Sequence, residues 1–407
     1  MPSLRLHTLG LLLPAVLAGS LRARPAEAQQ PKDLPLPELE TLARRDSNDA
    51  TVQYRLAMAY WEKKKWDQAE QALRQALVVA PSYAEAHLAL GVLPDRRGEG
   101  YWKRRAKDDG ESAVVGDLIR AGSHYRKAFQ LNPLVDLRVF GKFEERGRFS
   151  FIPFKGGFLF FPTPWWDKEL VKGMNEFREG RYLQAHQRFV ELTMDRRFSG
   201  RDVDLPGDLL WYQGLAAAHL GNFDQAVRNL AILTGRAVAA ERDTTAMISA
   251  IPLQANHYRF LMATMLYLGG RYDEAIPTFR RALEFDLSLY EAHMHLARMH
   301  AARGEPEREL AEWRLALDVN PGDADLLTSY AYALIRAGRL TDALDALREA
   351  AAANPRDPRV PYLRGIVAQE LGQGGEARAA YQRFLQIAPS RFAEETTDAR
   401  QRLAGLP

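Results

Sequence analysis

The chain has 407 residues, of which 46% are hydrophobic and 26% charged, and its formal net charge is +3. This balance is typical of a folded globular protein, and so small a net charge gives no support for nucleic-acid binding. The sequence contains no cysteine, which excludes disulfides, thiolate metal sites and a cysteine nucleophile.

The N-terminus carries an export signal. A basic residue precedes the apolar run Leu9–Leu17, and the small-x-small triplet Ala26-Glu27-Ala28 follows it. The pattern predicts a signal peptide over residues 1–28. Cleavage after Ala18, or no cleavage, remains an alternative. We therefore expect a periplasmic or secreted location, and no transmembrane segment beyond the signal peptide.

Residues 29–49 follow this signal and contain three prolines, Pro31, Pro35 and Pro37. Proline restricts the backbone and cannot donate a hydrogen bond. The composition predicts an extended leader ahead of the first regular element.

Glycine and proline recur at a fixed interval in the second half of the chain. A 34-residue spacing separates each member of two series, Gly270, Gly304, Gly338 and Gly372, and Pro321, Pro355 and Pro389. Apolar residues between these positions follow helical spacing. Each unit is predicted to hold two amphipathic helices, with a left-handed glycine ending the first and proline ending the second.

These units resemble the tetratricopeptide repeat. The family pattern has small residues at repeat positions 8 and 20, and Ala331 and Ala343 hold those positions in the seventh unit. The resemblance implies an all-α fold, an α–α superhelix of about eight helix-turn-helix repeats. Glu309, where a small residue is expected, and Phe384, where alanine is expected, depart from the pattern.

The predicted repeats define the domain organisation. They begin near Ala50, Ala84, Trp166, Gly207, Asn256, Tyr290, Ala324 and Pro358. Two repeats thus lie in residues 50–133, two in 166–236 and four in 256–389. Because a terminal repeat exposes an apolar face, residues 390–407 are predicted to form a C-terminal capping helix.

Three insertions interrupt the repeats. Residues 94–112 are charged and contain glycine, which favours a solvated loop, with a contact loop as the alternative. Residues 134–165 are rich in phenylalanine and glycine and alternate as a short β-hairpin would; they either cover the helices or contact a partner. Residues 237–255 are predicted to lengthen a helix and connect two repeats.

The resemblance also assigns a binding surface. In this family, positions 2, 5, 9 and 12 of the first helix line a concave groove. The predicted partner-binding residues, called the groove residues below, are Tyr54, Met58, Trp61, Trp211, Phe260, Tyr267, Met294, Arg298, Tyr332, Arg336 and Tyr362. Their aromatic and arginine content is typical of interaction hot spots.

No catalytic motif is present. We find no phosphate loop, nucleophile elbow, HExxH or EF-hand pattern, so we expect no enzymatic activity and no cofactor. A histidine–methionine cluster, with His293, His295 and His300, could in principle bind copper or zinc. Since His293 and His300 stand at helix-packing positions, packing is the favoured interpretation.

Two functions fit these observations best. The first is a non-catalytic scaffold that binds an extended peptide or an assembly partner in the groove. The second is a structural subunit of an envelope secretion, pilus or polysaccharide-export complex, which contacts its partners through residues 134–165. A metal-binding helical-repeat protein is a third and weaker hypothesis.

Overall fold

The computed structural model describes residues 34–143, 149–154, 157–162, 165–195, 198, 205–242 and 254–406. The predicted signal peptide lies outside this part of the chain. The described residues are built mainly from helices that pack in pairs, which confirms the predicted all-α class.

The chain divides into two compact units. The first unit, residues 1–83 and 300–407, contains α1 (Leu36–Arg45), α2 (Ala50–Glu62), α3 (Trp66–Val79), α14 (Pro306–Val319), α15 (Ala324–Arg336), α16 (Leu340–Ala353), α17 (Arg359–Glu370), α18 (Gly374–Ile387) and α19 (Ala393–Ala404).

The second unit, residues 84–299, is continuous in sequence. It contains α4 (Ala84–Arg97), α5 (Glu99–Asp109), α6 (Glu111–Leu131), α7 (Asp167–Arg178), α8 (Tyr182–Thr193), α9 (Gly207–His219), α10 (Phe223–Arg242), α11 (Ala255–Leu268), α12 (Tyr272–Phe285) and most of α13 (Tyr290–Ala302).

Helix ends follow local chemistry. The Asp49 carboxylate caps α2 by accepting a hydrogen bond from the Thr51 N–H at 2.9 Å, which satisfies a backbone donor that the helix leaves free. Gly338 ends α15 with a φ of +74°, which confirms the predicted left-handed stop. Lys64 stands at the corresponding position after α2 and has a φ of +55°. This left-handed conformation is unfavourable for any residue with a Cβ atom.

Small residues allow the paired helices to approach closely. A Cβ added to Gly365 on α17 would lie 2.5 Å from the Tyr381 ring on α18. In the second unit, a Cβ on Gly173 would lie 2.3 Å from the Phe189 ring. These positions therefore require glycine because the partner ring occupies the space of a side chain.

The first described helices and the last ones meet within the first unit. The Ser390 hydroxyl donates to Asp46 at 2.6 Å, and Arg391 pairs with Asp49 at 3.1 Å. The Asn354 side-chain amide donates to the Val79 carbonyl at 3.0 Å. The first described helices thus pack on the last ones. The C-terminal helix α19 also lies against α18.

The predicted extended leader is wrong for its described part, because residues 36–45 form α1. Pro35 precedes the helix and Pro37 stands in its first turn, where proline costs no hydrogen bond. Leu39 and Ala43 are buried, and the Gln53 side chain donates to the Ala43 carbonyl at 3.0 Å. Burial of one apolar face against α2 stabilises the helix.

The predicted loop over residues 94–112 is also wrong, because α5 occupies most of it. The Trp102 indole N–H donates to the Pro94 carbonyl at 3.2 Å, and Arg105 pairs with Asp117 of α6 at 3.0 Å. These contacts hold α5 against its neighbours, so the insertion is a helical hairpin.

Residues 134–165 divide into two parts. The first part packs against the helices, since Val135, Leu137 and Val139 are buried. The second part contains two antiparallel strands, β1 (Phe149–Phe154) and β2 (Gly157–Pro162), with Phe151 opposite Phe160.

The third insertion begins as predicted with a long helix, because α10 continues to Arg242; residues 243–253 lie outside the described part. Among the described helices, none combines the length and the apolar character needed to cross a membrane.

Candidate partner-binding face

The eleven groove residues are divided between the two units. The first unit holds Tyr54, Met58, Trp61, Tyr332, Arg336 and Tyr362, and the second holds Trp211, Phe260, Tyr267, Met294 and Arg298. Each set is therefore considered within its own unit.

Five of these residues are buried in the described structure, namely Trp61, Phe260, Met294, Tyr332 and Tyr362. The Phe260 ring packs on Phe279, with centroids 5.6 Å apart. The Tyr362 ring packs on Phe384, and its hydroxyl donates to Asp398 of α19 at 2.9 Å. Neighbouring helices cover these rings because their burial releases a large apolar surface from water.

Arg336 is exposed, but it already has a partner. Its guanidinium pairs with the carboxylate of Glu309, which also accepts a hydrogen bond from the Trp313 indole at 3.3 Å. Burial raises the pKa of Glu309. This ion pair explains how α14 tolerates a carboxylate at a small-residue position, and it makes Arg336 a structural residue.

One remaining groove residue of the second unit, Trp211, belongs to an aromatic row. Trp211 is half-buried and lies between Phe129 and Tyr258, with ring centroids 6.0 Å from each. Edge-to-face rings of this kind hold one another in fixed positions. Trp211 thus offers a preorganised, partly exposed aromatic surface.

Arg298 is the least compensated charge of this face. Its side chain is half-buried, and burial lowers its pKa. Within the described part of the chain it forms neither an ion pair nor a hydrogen bond. An arginine side chain stays charged in a protein, so the folded chain holds an unpaired guanidinium in a partly dehydrated place.

Two neighbours define the surroundings of Arg298. The His295 ring is only 6% exposed, stacks on Phe279 at 5.1 Å and lies 5.0 Å from Tyr267. Its Nδ1 has no hydrogen-bond partner. Burial, with a further contribution from Arg298, lowers the pKa of His295 to about 3. Tyr267, His295 and Arg298 are called the Arg298 cluster below.

The chemistry of the Arg298 cluster suits an anion with an apolar body. A guanidinium binds a carboxylate through two parallel hydrogen bonds, and low local polarity strengthens them. The Tyr267 ring supplies an apolar wall. The histidine is neutral at physiological pH and adds no charge. An acidic side chain of a polypeptide has the required chemistry.

Sequence reasoning placed Tyr267 and Arg298 on one face, and the structure brings both near the same histidine. It assigned His295 to a cluster considered for metal, whereas this ring packs among aromatic side chains. In the described residues, no group of three or more histidine, aspartate or glutamate side chains is arranged to hold a metal ion. The sequence signal for this pairing was the spacing of His295 and Arg298, which are three residues apart and therefore lie on one side of α13.

Comparison with known proteins identifies the family to which the repeats are similar. The family model of the tetratricopeptide repeat matches residues 36–81, 54–99, 213–288, 260–325, 310–358 and 331–392, which together exceed half of the chain. The Vi polysaccharide export protein VexE of Salmonella typhi is 33% identical over 147 residues, 35% of this chain. The match spans 22% of VexE.

The solved structures similar to this chain share little sequence with it. The MamA protein is 16% identical with a TM-score of 0.36, covering 46% of this chain and 94% of MamA. A tetratricopeptide repeat protein of Parabacteroides merdae is 12% identical with a TM-score of 0.36, covering 75% and 98%. The APC/C hetero-tetramer Cut9-Hcn1 is 13% identical with a TM-score of 0.33, covering 91% and 81%.

Proposed function

Because the chain belongs to the tetratricopeptide repeat family, we propose that it is a non-catalytic scaffold that binds a polypeptide segment through the Arg298 cluster. The observation that carries this proposal is the half-buried, unpaired guanidinium of Arg298 beside the buried ring of His295. An unpaired charge in a partly dehydrated place costs stability. A partner's carboxylate would offset that cost.

The partner in this proposal is an extended segment with an acidic residue and an adjacent apolar residue. The acidic residue would pair with Arg298, and Tyr267 would contact the apolar one. Arginine and tyrosine are the residue types that most often dominate binding free energy. We propose that the other half-exposed residues, Trp211 among them, widen the contact.

The proposal is tested with a phage-displayed library of random linear peptides. Wild-type protein should enrich peptides that contain aspartate or glutamate. Enriched peptides are then synthesised with each carboxylate replaced by its amide. Loss of one charge-assisted hydrogen-bonded pair should weaken binding by about ten- to a hundredfold, and Arg298→Met should cause the same loss.

Arg281→Met is the matched control, since it removes one positive charge from the exposed surface of α12. Its affinity should equal that of the wild type. Equal binding by wild type and Arg298→Met, or enrichment of peptides without any acidic residue, would refute the proposal.

We further propose that the scaffold works in the bacterial envelope, in the periplasm or after secretion. The apolar run and small-x-small triplet at the N-terminus support this location, and so does similarity to a protein named for polysaccharide export. Fusion of the full chain to alkaline phosphatase should give active enzyme in cells. If the fusion is active only after a separate, known export signal is added to it, this location is contradicted.

The similarity to VexE favours a second candidate function, that of a structural subunit in an envelope export complex. In this case β1 and β2 would contact the partner. Because Val135, Leu137 and Val139 are part of the core, the informative variant replaces only residues 149–162 with a short Gly-Ser linker. If this variant keeps its helical content and retains export-complex assembly, the second candidate is excluded.

A further inference from the structure

The helical hairpin formed by α5 and the first half of α6 presents an apolar face that nothing in the described chain covers. Val115 is 54% exposed, Leu118 49% and Ile119 66%. These positions share one side of α6. Exposed clusters of large aliphatic side chains are uncommon on folded chains unless a partner covers them.

The same side of α6 continues in both directions with exposed residues. Glu111 stands one turn before Val115, and Gly122 and Arg126 follow at helical spacing. An adjoining side of the helix packs on α4, because a Cβ on Gly91 of α4 would clash with the backbone at Ala121 and Tyr125. The exposed side, Glu111, Val115, Leu118, Ile119, Gly122 and Arg126, is called the α6 seam.

The α6 seam is complementary to itself. When two copies of α6 lie antiparallel about a two-fold axis between Leu118 and Ile119, Glu111 of each copy comes opposite Arg126 of the other. Neither residue forms an ion pair within the described part of its own chain. The same arrangement places Val115 opposite Gly122, where no atom lies within 4 Å of the position of a Cβ.

We propose that the α6 seam binds a second copy of this chain, and that two antiparallel α6 helices form the contact. The aliphatic residues at the axis provide the apolar core, and the Glu111–Arg126 pairs at the ends fix the direction and the register. Isologous contacts of this kind are the usual way in which identical chains pair.

The α6 seam is supported by a contact on the other side of α6. The Arg105–Asp117 ion pair fastens α5 to the inner side of α6, so the seam is displayed on a supported helix. One helix pair buries less surface than a standard stable interface. The expected product is therefore a weak dimer that forms as protein concentration rises.

The test measures the mass of the full chain by light scattering over a series of concentrations at low salt. Wild type should shift from monomer towards dimer. Glu111→Arg and Arg126→Glu each place like charges opposite one another, and each should weaken dimerisation by about tenfold or more. Ile119→Ser should do the same by removing apolar contact.

Charge restoration provides the decisive comparison. An equal mixture of Glu111→Arg and Arg126→Glu proteins restores two opposite-charge pairs in the mixed dimer, which should regain wild-type affinity. The double variant should regain it as well. Val78→Ser, at an exposed valine of α3, is the control and should dimerise like the wild type.

A wild-type chain that stays monomeric over the whole concentration series would overturn the proposal. So would a mixture that dimerises no better than the single variants. Circular dichroism of each variant shows that its helices are intact. If the wild type is a monomer and the α6 seam variants lose binding to another envelope protein, the α6 seam belongs to that partner. This result would also overturn the dimer proposal.

Discussion

Gly365→Ala tests how the helix pairs are packed. The new Cβ would lie 2.5 Å from Tyr381 Cε1 and 2.6 Å from Cδ1, whereas carbon atoms in contact are about 3.5–4.0 Å apart. Tyr381 is fully buried, and its hydroxyl donates to Gln369 at 2.9 Å. The ring must therefore move by about 1 Å and strain that hydrogen bond.

Overpacking of this kind costs about 1–3 kcal/mol, and the weakened hydrogen bond adds about 1 kcal/mol. The greater helix propensity of alanine returns about 0.5–1 kcal/mol. We expect a net loss of about 2 kcal/mol in the free energy of unfolding, measured by urea denaturation followed by circular dichroism.

Gly375→Ala is the matched control, because nothing lies within 4 Å of its Cβ position at the start of α18. This variant should be as stable as the wild type or slightly more stable. If Gly365→Ala is as stable as Gly375→Ala, the close approach of α17 and α18 is wrong.

Four further changes test separate parts of the account. Ala343→Leu, at a fully buried position, should overpack α15 against α16 and cost about 1–3 kcal/mol in urea denaturation; a neutral result would contradict the repeat register. Lys64→Gly should raise the free energy of unfolding by about 0.5–1 kcal/mol, because it relieves a φ of +55°; a loss would contradict that backbone. Arg298→Met should raise the free energy of unfolding by about 1 kcal/mol while weakening acidic-peptide binding about ten- to a hundredfold, and a destabilised variant would show that the guanidinium has a structural partner. The pKa of His295 is about 3 in the folded chain against about 6.5 in the unfolded chain. Because the unfolded chain binds more protons between these values, the free energy of unfolding falls as pH falls through this range. His295→Phe should flatten this pH dependence between about pH 6.5 and 5 by about 1 kcal/mol per pH unit, and an unchanged slope would contradict the burial of a neutral ring.

The helix pairs could be predicted from the sequence because their causes are local. Helical periodicity and a glycine at a fixed interval determine where a helix ends, and Gly338 has the expected positive φ. The residues at positions 8 and 20 determine how closely two helices approach. Both signals are contained within one repeat, so a single sequence displays them.

The groove residues could be predicted only in part, since burial depends on distant segments. A helical wheel assigns Tyr362 to one face of α17, but the cover over that face comes from Asp398 on α19. Similarly, Glu309 looked incompatible with a small-residue position until Arg336, on the next helix, supplied its counter-charge.

The two incorrect loop predictions have a related origin. Prolines precede and enter residues 36–45, and charged residues dominate residues 99–109, so neither segment was assigned a helix from its sequence. Their helices are stabilised by contacts with other elements, such as that of Gln53 with the Ala43 carbonyl and of Arg105 with Asp117. Tertiary packing of this kind routinely overrides intrinsic propensity.

The central claim is that the Arg298 cluster holds a partner polypeptide, and photo-crosslinking in living cells tests it most directly. A benzophenone amino acid in place of Tyr267 should form an adduct with a polypeptide after irradiation, and the adduct should disappear when Arg298→Met is added but persist with Arg281→Met. Absence of any adduct at this position, or an adduct that is equally strong in the Arg298→Met protein, would contradict the claim.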